Sequence, residues 1–219
     1  MAQNFDLVII GMGSGGLTAA RLAAELDLRV AAIERDRIGG DCLWTGCVPS
    51  KALLASARVA HHMRTADAYG LDAVEPTIER ARVWSRIHEI RNEIARTDDN
   101  AATYEGLGIR VIQGEARVRG PQSVEVNGQT LETRYILVAT GSRPAIPPIP
   151  GLEDSGYLTS ETLFELDEPP GSVFIIGGGP IAVELSQALR RLGCEVVIGE
   201  VLPRLLSREE PDLADRLTS

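Results

Sequence analysis

No run in this sequence approaches the roughly 20 apolar residues that a membrane-spanning helix needs. The chain instead enters a short apolar stretch at Leu7-Val-Ile-Ile10, with no basic n-region or cleavage site before it. Basic clusters are missing too. With 22 Lys and Arg against 31 Asp and Glu, the net charge of -9 argues against nucleic acid or an anionic membrane surface as a partner. Cysteine is sparse: of the three, two lie close together, which fits a reducing, cytoplasmic compartment better than a secreted disulfide scaffold. His61, His62 and His88 have no Cys or His partners at metal-ligand spacing, so no metal site is expected. What remains, 44% hydrophobic and 24% charged over 219 residues, is the composition of a globular protein of one or two domains.

The most distinctive stretch is Gly39-Gly-Asp-Cys-Leu-Trp-Thr-Gly-Cys-Val-Pro-Ser-Lys51. A disulfide between Cys42 and Cys47 would close a very small ring and remove little unfolded-chain entropy, so it would be a poor staple. A strained, accessible bond exchanges readily with thiols, which suits a redox switch. Pro49 suits the first turn of a helix running on through Arg58, which puts Cys47 at the helix's positive end, near the Lys51 ammonium. Taken alone, the pair reads equally as two ordinary reduced thiols.

A nucleotide-binding pattern occurs twice. The apolar run Asp6 to Ile10 leads into Gly11-Met-Gly13-Ser14-Gly15-Gly16, a helical pattern, a strand at Arg29 to Ile33, and then Glu34. That order is the one a dinucleotide site needs: glycines for the tight turn and close pyrophosphate approach, an acid for the ribose hydroxyls. Val173 to Ile176, Gly177-Gly-Gly179-Pro-Ile-Ala182, Glu195 to Ile198 and Glu200 repeat it, offset by 166 residues both from Gly11 to Gly177 and from Glu34 to Glu200. Glu200 leans toward NADH, and Arg204 keeps NADPH open. Between the copies lie a helix with an apolar stripe at Val83, Ile87, Ile90 and Ile94, and short strands at Arg110–Ile112, Ala116–Val118, Ser123–Val126, Thr130–Leu131 and Tyr135–Ala139. Asn127-Gly128 marks a hairpin, and Pro147-Pro-Ile-Pro150 a linker.

Gly40-Asp-Cys42-Leu-Trp-Thr-Gly-Cys47-Val-Pro-Ser-Lys51 resembles the active-site motif of the class I pyridine nucleotide-disulfide oxidoreductases, which include dihydrolipoyl dehydrogenase, glutathione reductase and mercuric reductase. Asp41 and Trp44 stand where the best-known members carry Thr and Asn, closer to a mercuric reductase-like branch. The resemblance implies an α/β chain: a Rossmann-like FAD-binding domain with a small β-meander over residues 1–150, then a linker and the start of a second Rossmann-like, NAD(P)-binding domain over 151–219. It implies FAD contacts from Gly11, Gly13, Ser14, Gly15, Gly16, Glu34, Gly40, Lys51, from Gly114 and Ala116 near the adenine, and from Thr140 and Gly141. Nicotinamide-cofactor contacts come from Gly177, Gly179 and Glu200.

It also implies the catalytic set Cys42, Cys47, Lys51 and Glu184. Cys47 is then the sulfur nearest the flavin, Cys42 the exposed interchange thiol, and Glu184 the partner of Lys51; a solvent-facing first-turn acid is the other reading of Glu184. The implied function is electron transfer from NADH or NADPH through FAD to a small-molecule or protein disulfide or similar acceptor. The sequence spans only the first half of such an enzyme, without the acid-base His-Glu pair. A non-catalytic remnant, or half of a split flavoprotein needing a completing polypeptide, is therefore the competing expectation, and the family's homodimer is not assumed. Residues 172–219 are expected to leave one face of their sheet unfinished.

Overall fold

The computed structural model describes residues 3–218. Its elements run β1 (Gln3–Ile10), α1 (Ser14–Glu25), β2 (Val30–Glu34), α2 (Gly40–Trp44), α3 (Cys47–Arg64), α4 (Arg80–Thr97), α5 (Ala101–Glu105), β3 (Arg110–Gln113), β4 (Ala116–Gly120), β5 (Ser123–Val126), β6 (Gln129–Val138), α6 (Ser160–Leu163), β7 (Ser172–Ile176), α7 (Pro180–Arg191), β8 (Glu195–Gly199) and α8 (Pro211–Thr218). They group into two units: residues 1–49 with 89–164, and residues 50–88 with 165–219.

The first unit is built on a sheet of order β3-β2-β1-β6-β5-β4, in which β3, β2, β1 and β6 are parallel and β4, β5 and β6 form an antiparallel meander. Side chains alternate across a strand, so each parallel strand feeds two cores. Ile9, Val30 and Ala32 pack with Leu17, Ala20 and Ala23 of α1 and with Tyr104. Val8, Ala31 and Ile33 pack on the other face with Val124, Val126 and Leu131 of the meander. With helix on one side and meander on the other, β2 is buried along its whole length. This is a mixed α/β, Rossmann-like fold.

Asn127 and Gly128, with φ of 51° and 73°, make the tight turn between β5 and β6, the two positive values that a type I′ hairpin requires. The two short strands expected at Thr130–Leu131 and Tyr135–Ala139 are one continuous strand, β6. Glu132-Thr-Arg134 between them contains no Gly or Pro to break it, and β1 runs beside β6 from Leu131 to Val138, across that interval.

In the second unit β7 and β8 pair in parallel, with α7 between them in sequence. The repeat extends to detail. The β1–β2 register pairs Leu7 with Val30 and the β7–β8 register pairs Val173 with Val196; α1 ends at C-cap Leu26 and α7 at Leu192, both with φ -91° and ψ 13°. The copies differ in cover, since Phe174, Ile176 and Val197 are 66%, 47% and 58% exposed. In α4, Trp84 and Ile87 are buried, while Val83, Ile90 and Ile94 of the expected stripe are only half-buried. The large indole takes the centre of the face and turns the helix about its axis toward Trp84.

Candidate functional site

The carboxyl ends of β1, β2 and β6 border a cavity of about 710 Å³, within the range of cofactor sites. Gly11 stands at the end of β1 with φ 100°, donating its amide to Ile33 O at 2.8 Å; a Cβ there would overlap the Ala139 carbonyl. Only glycine fits this turn. Gly11, Gly13, Glu34, Gly40, Gly114, Ala116, Thr140 and Gly141 all line the cavity. Ser14, Gly15 and Gly16 lie beside it in the first turn of α1, and α1 brings the positive end of its helix dipole to that loop.

Glu34, only 9% exposed, ends β2 with one carboxylate oxygen accepting from Met12 N at 2.7 Å and the other from Asp36 N at 2.9 Å. It latches the glycine loop to the strand end. Glu200 makes the same latch in the second copy, to Gly178 N at 2.7 Å and Leu202 N at 2.8 Å. The amides of Leu202 and Gly178 hold its carboxyl below the usual range. Gly177 and Gly179 flank that loop, and Arg204 is turned to the carbonyls of Ser207 and Glu209.

The cysteine segment is bolted to the loop of the first copy. Gly39 N donates to Met12 O at 2.9 Å, and Gly40, with φ 54°, comes so close that a Cβ on it would lie 2.7 Å from the Gly13 Cα. Cys42 and Cys47 are present as thiols rather than a disulfide, Cys42 half-buried and Cys47 exposed. Burial is the main influence raising the Cys42 thiol's pKa, followed by its hydrogen bond to the Cys47 sulfur; the Ser14 hydroxyl and the Cys47 amide, both donating to it, oppose the rise.

In the second unit Lys51, the only lysine among the chain's 22 cationic residues, donates to both oxygens of Glu184 at 3.1 and 2.9 Å. Every other cation is Arg, the residue better suited to a fixed planar pair, so a compact ammonium is singled out at one position.

Residues that sequence reasoning missed surround Trp44. The indole donates to Ile38 O at 2.8 Å and has two guanidiniums near its ring, Arg37 at 4.4 Å and Arg91 at 5.8 Å from the centroid. Arg91, 4% exposed, also donates to Trp44 O at 2.7 Å. Its position on a helix face shared with Trp84 and Ile87 is the only available signal, and it reads as an interrupted stripe. Arg143 and Glu161, paired at 3.4 Å, line the cavity as well.

The chain matches the pyridine nucleotide-disulphide oxidoreductase family over residues 5–219. It belongs to that family. Members bind FAD and use NAD(P)H. A mercuric reductase of Bacillus cereus is 34% identical over 98% of this chain and 34% of its own length, and a dihydrolipoyl dehydrogenase of Bacillus subtilis is 36% identical over 100% and 48%. Among solved structures, the HOCl-induced flavoprotein disulfide reductase RclA from Escherichia coli, in its Cu(II) complex, superimposes with a TM-score of 0.78 at 31% identity, over 97% of this chain and 46% of that one. The chain thus spans less than half the length of each of these relatives. Among the described residues, no helix is long and apolar enough to cross a membrane. The family's FAD fits the first unit: the glycine loop provides a cradle that a side chain would fill, and the cavity beside it has the required size.

Proposed function

We propose that this chain is the cofactor-binding, dithiol-bearing part of a cytoplasmic FAD-dependent, NAD(P)H-linked oxidoreductase, in which Cys42 and Cys47 pass an electron pair to a disulfide or similar acceptor. The observation that carries the reading is the fastening of the Cys42 segment to the glycine loop of the cavity, through Gly39 N to Met12 O and the Gly40–Gly13 contact. Residues 1–150 act as the FAD-binding domain, and 151–219 as linker and NAD(P)-binding part.

FAD, when bound, supplies the two-electron carrier between the nicotinamide hydride and the Cys42–Cys47 disulfide. Gly11 to Gly16 and the start of α1 receive the diphosphate, and Glu34 fixes the loop that does so. Lys51, held by Glu184, contributes positive charge as electrostatic preorganisation. The Cys42 thiolate attacks one sulfur of the acceptor disulfide, forming a mixed disulfide and expelling a thiolate. The Cys47 thiolate then attacks the Cys42 sulfur, closing the Cys42–Cys47 disulfide and expelling the second thiolate. Two protons complete two product thiols, and the dithiol has lost two electrons.

The test is the visible spectrum of the chain with added FAD, before and after anaerobic dithiothreitol, beside Cys47→Ser. A long-wavelength thiolate-to-flavin band that the variant lacks supports the reading; a protein that takes up no FAD refutes it for this chain alone. The exposed apolar face of Phe174, Ile176 and Val197 favours a second reading, in which the chain binds nucleotide and a completing polypeptide or second copy without turnover by itself.

A further inference from the structure

We propose that Arg91 is a positioning residue for the dithiol: from α4 it holds the four residues between Cys42 and Cys47 in the arrangement from which the disulfide closes. The inference rests on the dithiol reading above and adds to it the residue that fixes the ring. Arg91 is 4% exposed; its guanidinium donates to Trp44 O at 2.7 Å and lies 5.8 Å from the Trp44 ring centroid. The peptide joining Trp44 to Thr45 is the central one of the segment linking the two cysteines. The bond therefore grips the ring at its middle, and a charge-assisted bond in a buried corner is hard for water to replace.

The neighbouring residues are held as well. Trp44 Nε1 donates to Ile38 O at 2.8 Å, Thr45 N donates to Asp41 O at 3.0 Å, and Leu43 is 1% exposed. Gly46 comes so close to Asp41 that a Cβ on it would lie 2.9 Å from the Asp41 carbonyl oxygen. Those two hydrogen bonds stay within residues 38–45. The Arg91 bond spans 47 residues and fastens the ring to another helix. Both cysteines are thiols here, so the ring is held before it closes. Conformational freedom that closure would otherwise remove is already given up, which favours the disulfide over the dithiol.

The test is the thiol–disulfide equilibrium of the full chain against a glutathione redox pair, read by alkylation and peptide mass spectrometry. Oxidised glutathione accepts the two electrons: both S–H bonds break, the Cys42–Cys47 bond forms, and two reduced glutathione molecules carry away the protons. Arg91→Met keeps a buried apolar stem and loses the donors. Freeing about one residue's backbone should lower the closure constant about tenfold, a rise of about 30 mV in reduction potential. Arg91→Lys, which retains a donor and the charge, should stay closer to wild type. Trp44→Phe, which gives up the bond to Ile38 O, should shift closure the same way by a smaller factor, and it reads the ring if Arg91→Met does not fold. The thiol titration, followed by thiolate absorbance, should move too little to account for the tenfold change; a shift large enough to do so would make Arg91 an electrostatic residue and overturn the proposal. An unchanged or larger closure constant in Arg91→Met overturns it too. Amide exchange at Thr45, expected to be faster in Arg91→Met, reads the anchor without any disulfide. A wild-type chain that never links Cys42 to Cys47 would thus refute the dithiol function, and unchanged Thr45 exchange would refute the Arg91 anchor.

Discussion

Replacing Glu34 by Gln removes one negative charge and one acceptor from the latch that holds the glycine loop. Both carboxylate oxygens accept backbone amides, Met12 N at 2.7 Å and Asp36 N at 2.9 Å, and the side chain is 9% exposed, so water cannot take over freely. Hydrogen bonds to a charged group contribute about 1.5–3 kcal/mol each, and neutral ones about 0.5–1.5. In the variant one bond drops to the neutral range, and at the other an amide NH2 faces an amide N–H, leaving two donors opposed. The expected loss is about 3 kcal/mol, which for a chain of this size lowers the melting temperature by about 6–12 °C. Urea denaturation followed by tryptophan fluorescence reads it, with FAD uptake measured in parallel. A midpoint within experimental error of wild type would show that the two bonds do not hold the loop and would refute the latch.

Gly40→Ala forces a side chain into a left-handed conformation and against the Gly13 backbone, 2.7 Å from its Cα, and should cost at least about 2 kcal/mol while weakening FAD retention on gel filtration; wild-type stability would mean that α2 moves away freely. Amide exchange should be faster in β7 and β8, whose outer side chains Phe174, Ile176 and Val197 are exposed, than in β1, and equal protection would refute a weakly held second copy. NADH should bind more tightly than NADPH, because Glu200 sits at the end of β8 and Arg204 is engaged with Ser207 O and Glu209 O; titration showing preference for the 2′-phosphate would overturn this. The Arg29 guanidinium, through its hydrogen bonds, holds the Asp6 carboxyl below its usual range, so this pair adds stability above the unfolded carboxyl's pKa and loses it as pH falls through the lower folded value. Asp6→Asn should flatten the stability curve below about pH 4, and an unchanged acid limb would refute the linkage.

What was legible in the sequence was what neighbouring residues decide. Gly11 after an apolar run, Asn127-Gly128 between alternating strands and Glu34 at a strand end each state a local backbone need. The merger of β6 was missed because a polar Glu-Thr-Arg interval reads as a break unless one knows that β1 runs beside it. The turn of α4 toward Trp84 and the burial of Arg91 depend on side-chain volume and on a carbonyl 47 residues away at Trp44, which periodicity does not encode. Lys51 and Glu184 stand 133 residues apart, and their pairing was approached through resemblance to a family, not through the residues. The units divide within α3 and α4 for the same reason: bonds such as Arg64 to Arg191 O, at 2.7 Å, join distant segments.

The repeat separates what a nucleotide loop needs from what a stable sheet needs. Both copies keep the glycine turn, the helix that follows it and the Glu latch to the second loop amide, Met12 N in one and Gly178 N in the other. Those features are local to strand, turn and helix, so they persist whatever packs on the sheet. Cover is not local. Val8, Ala31 and Ile33 have the meander's Val124, Val126 and Leu131 against them, whereas Phe174, Ile176 and Val197 face outward. The latch then bears a different load in each copy: Glu34 works in a dry corner, where each amide bond is hard to replace, and Glu200 works half-exposed, where water competes for the same amides. Glu34→Gln should therefore be the more damaging of the two equivalent substitutions, and a Glu200→Gln loss as large as that of Glu34→Gln would mean that burial is not what gives the latch its strength.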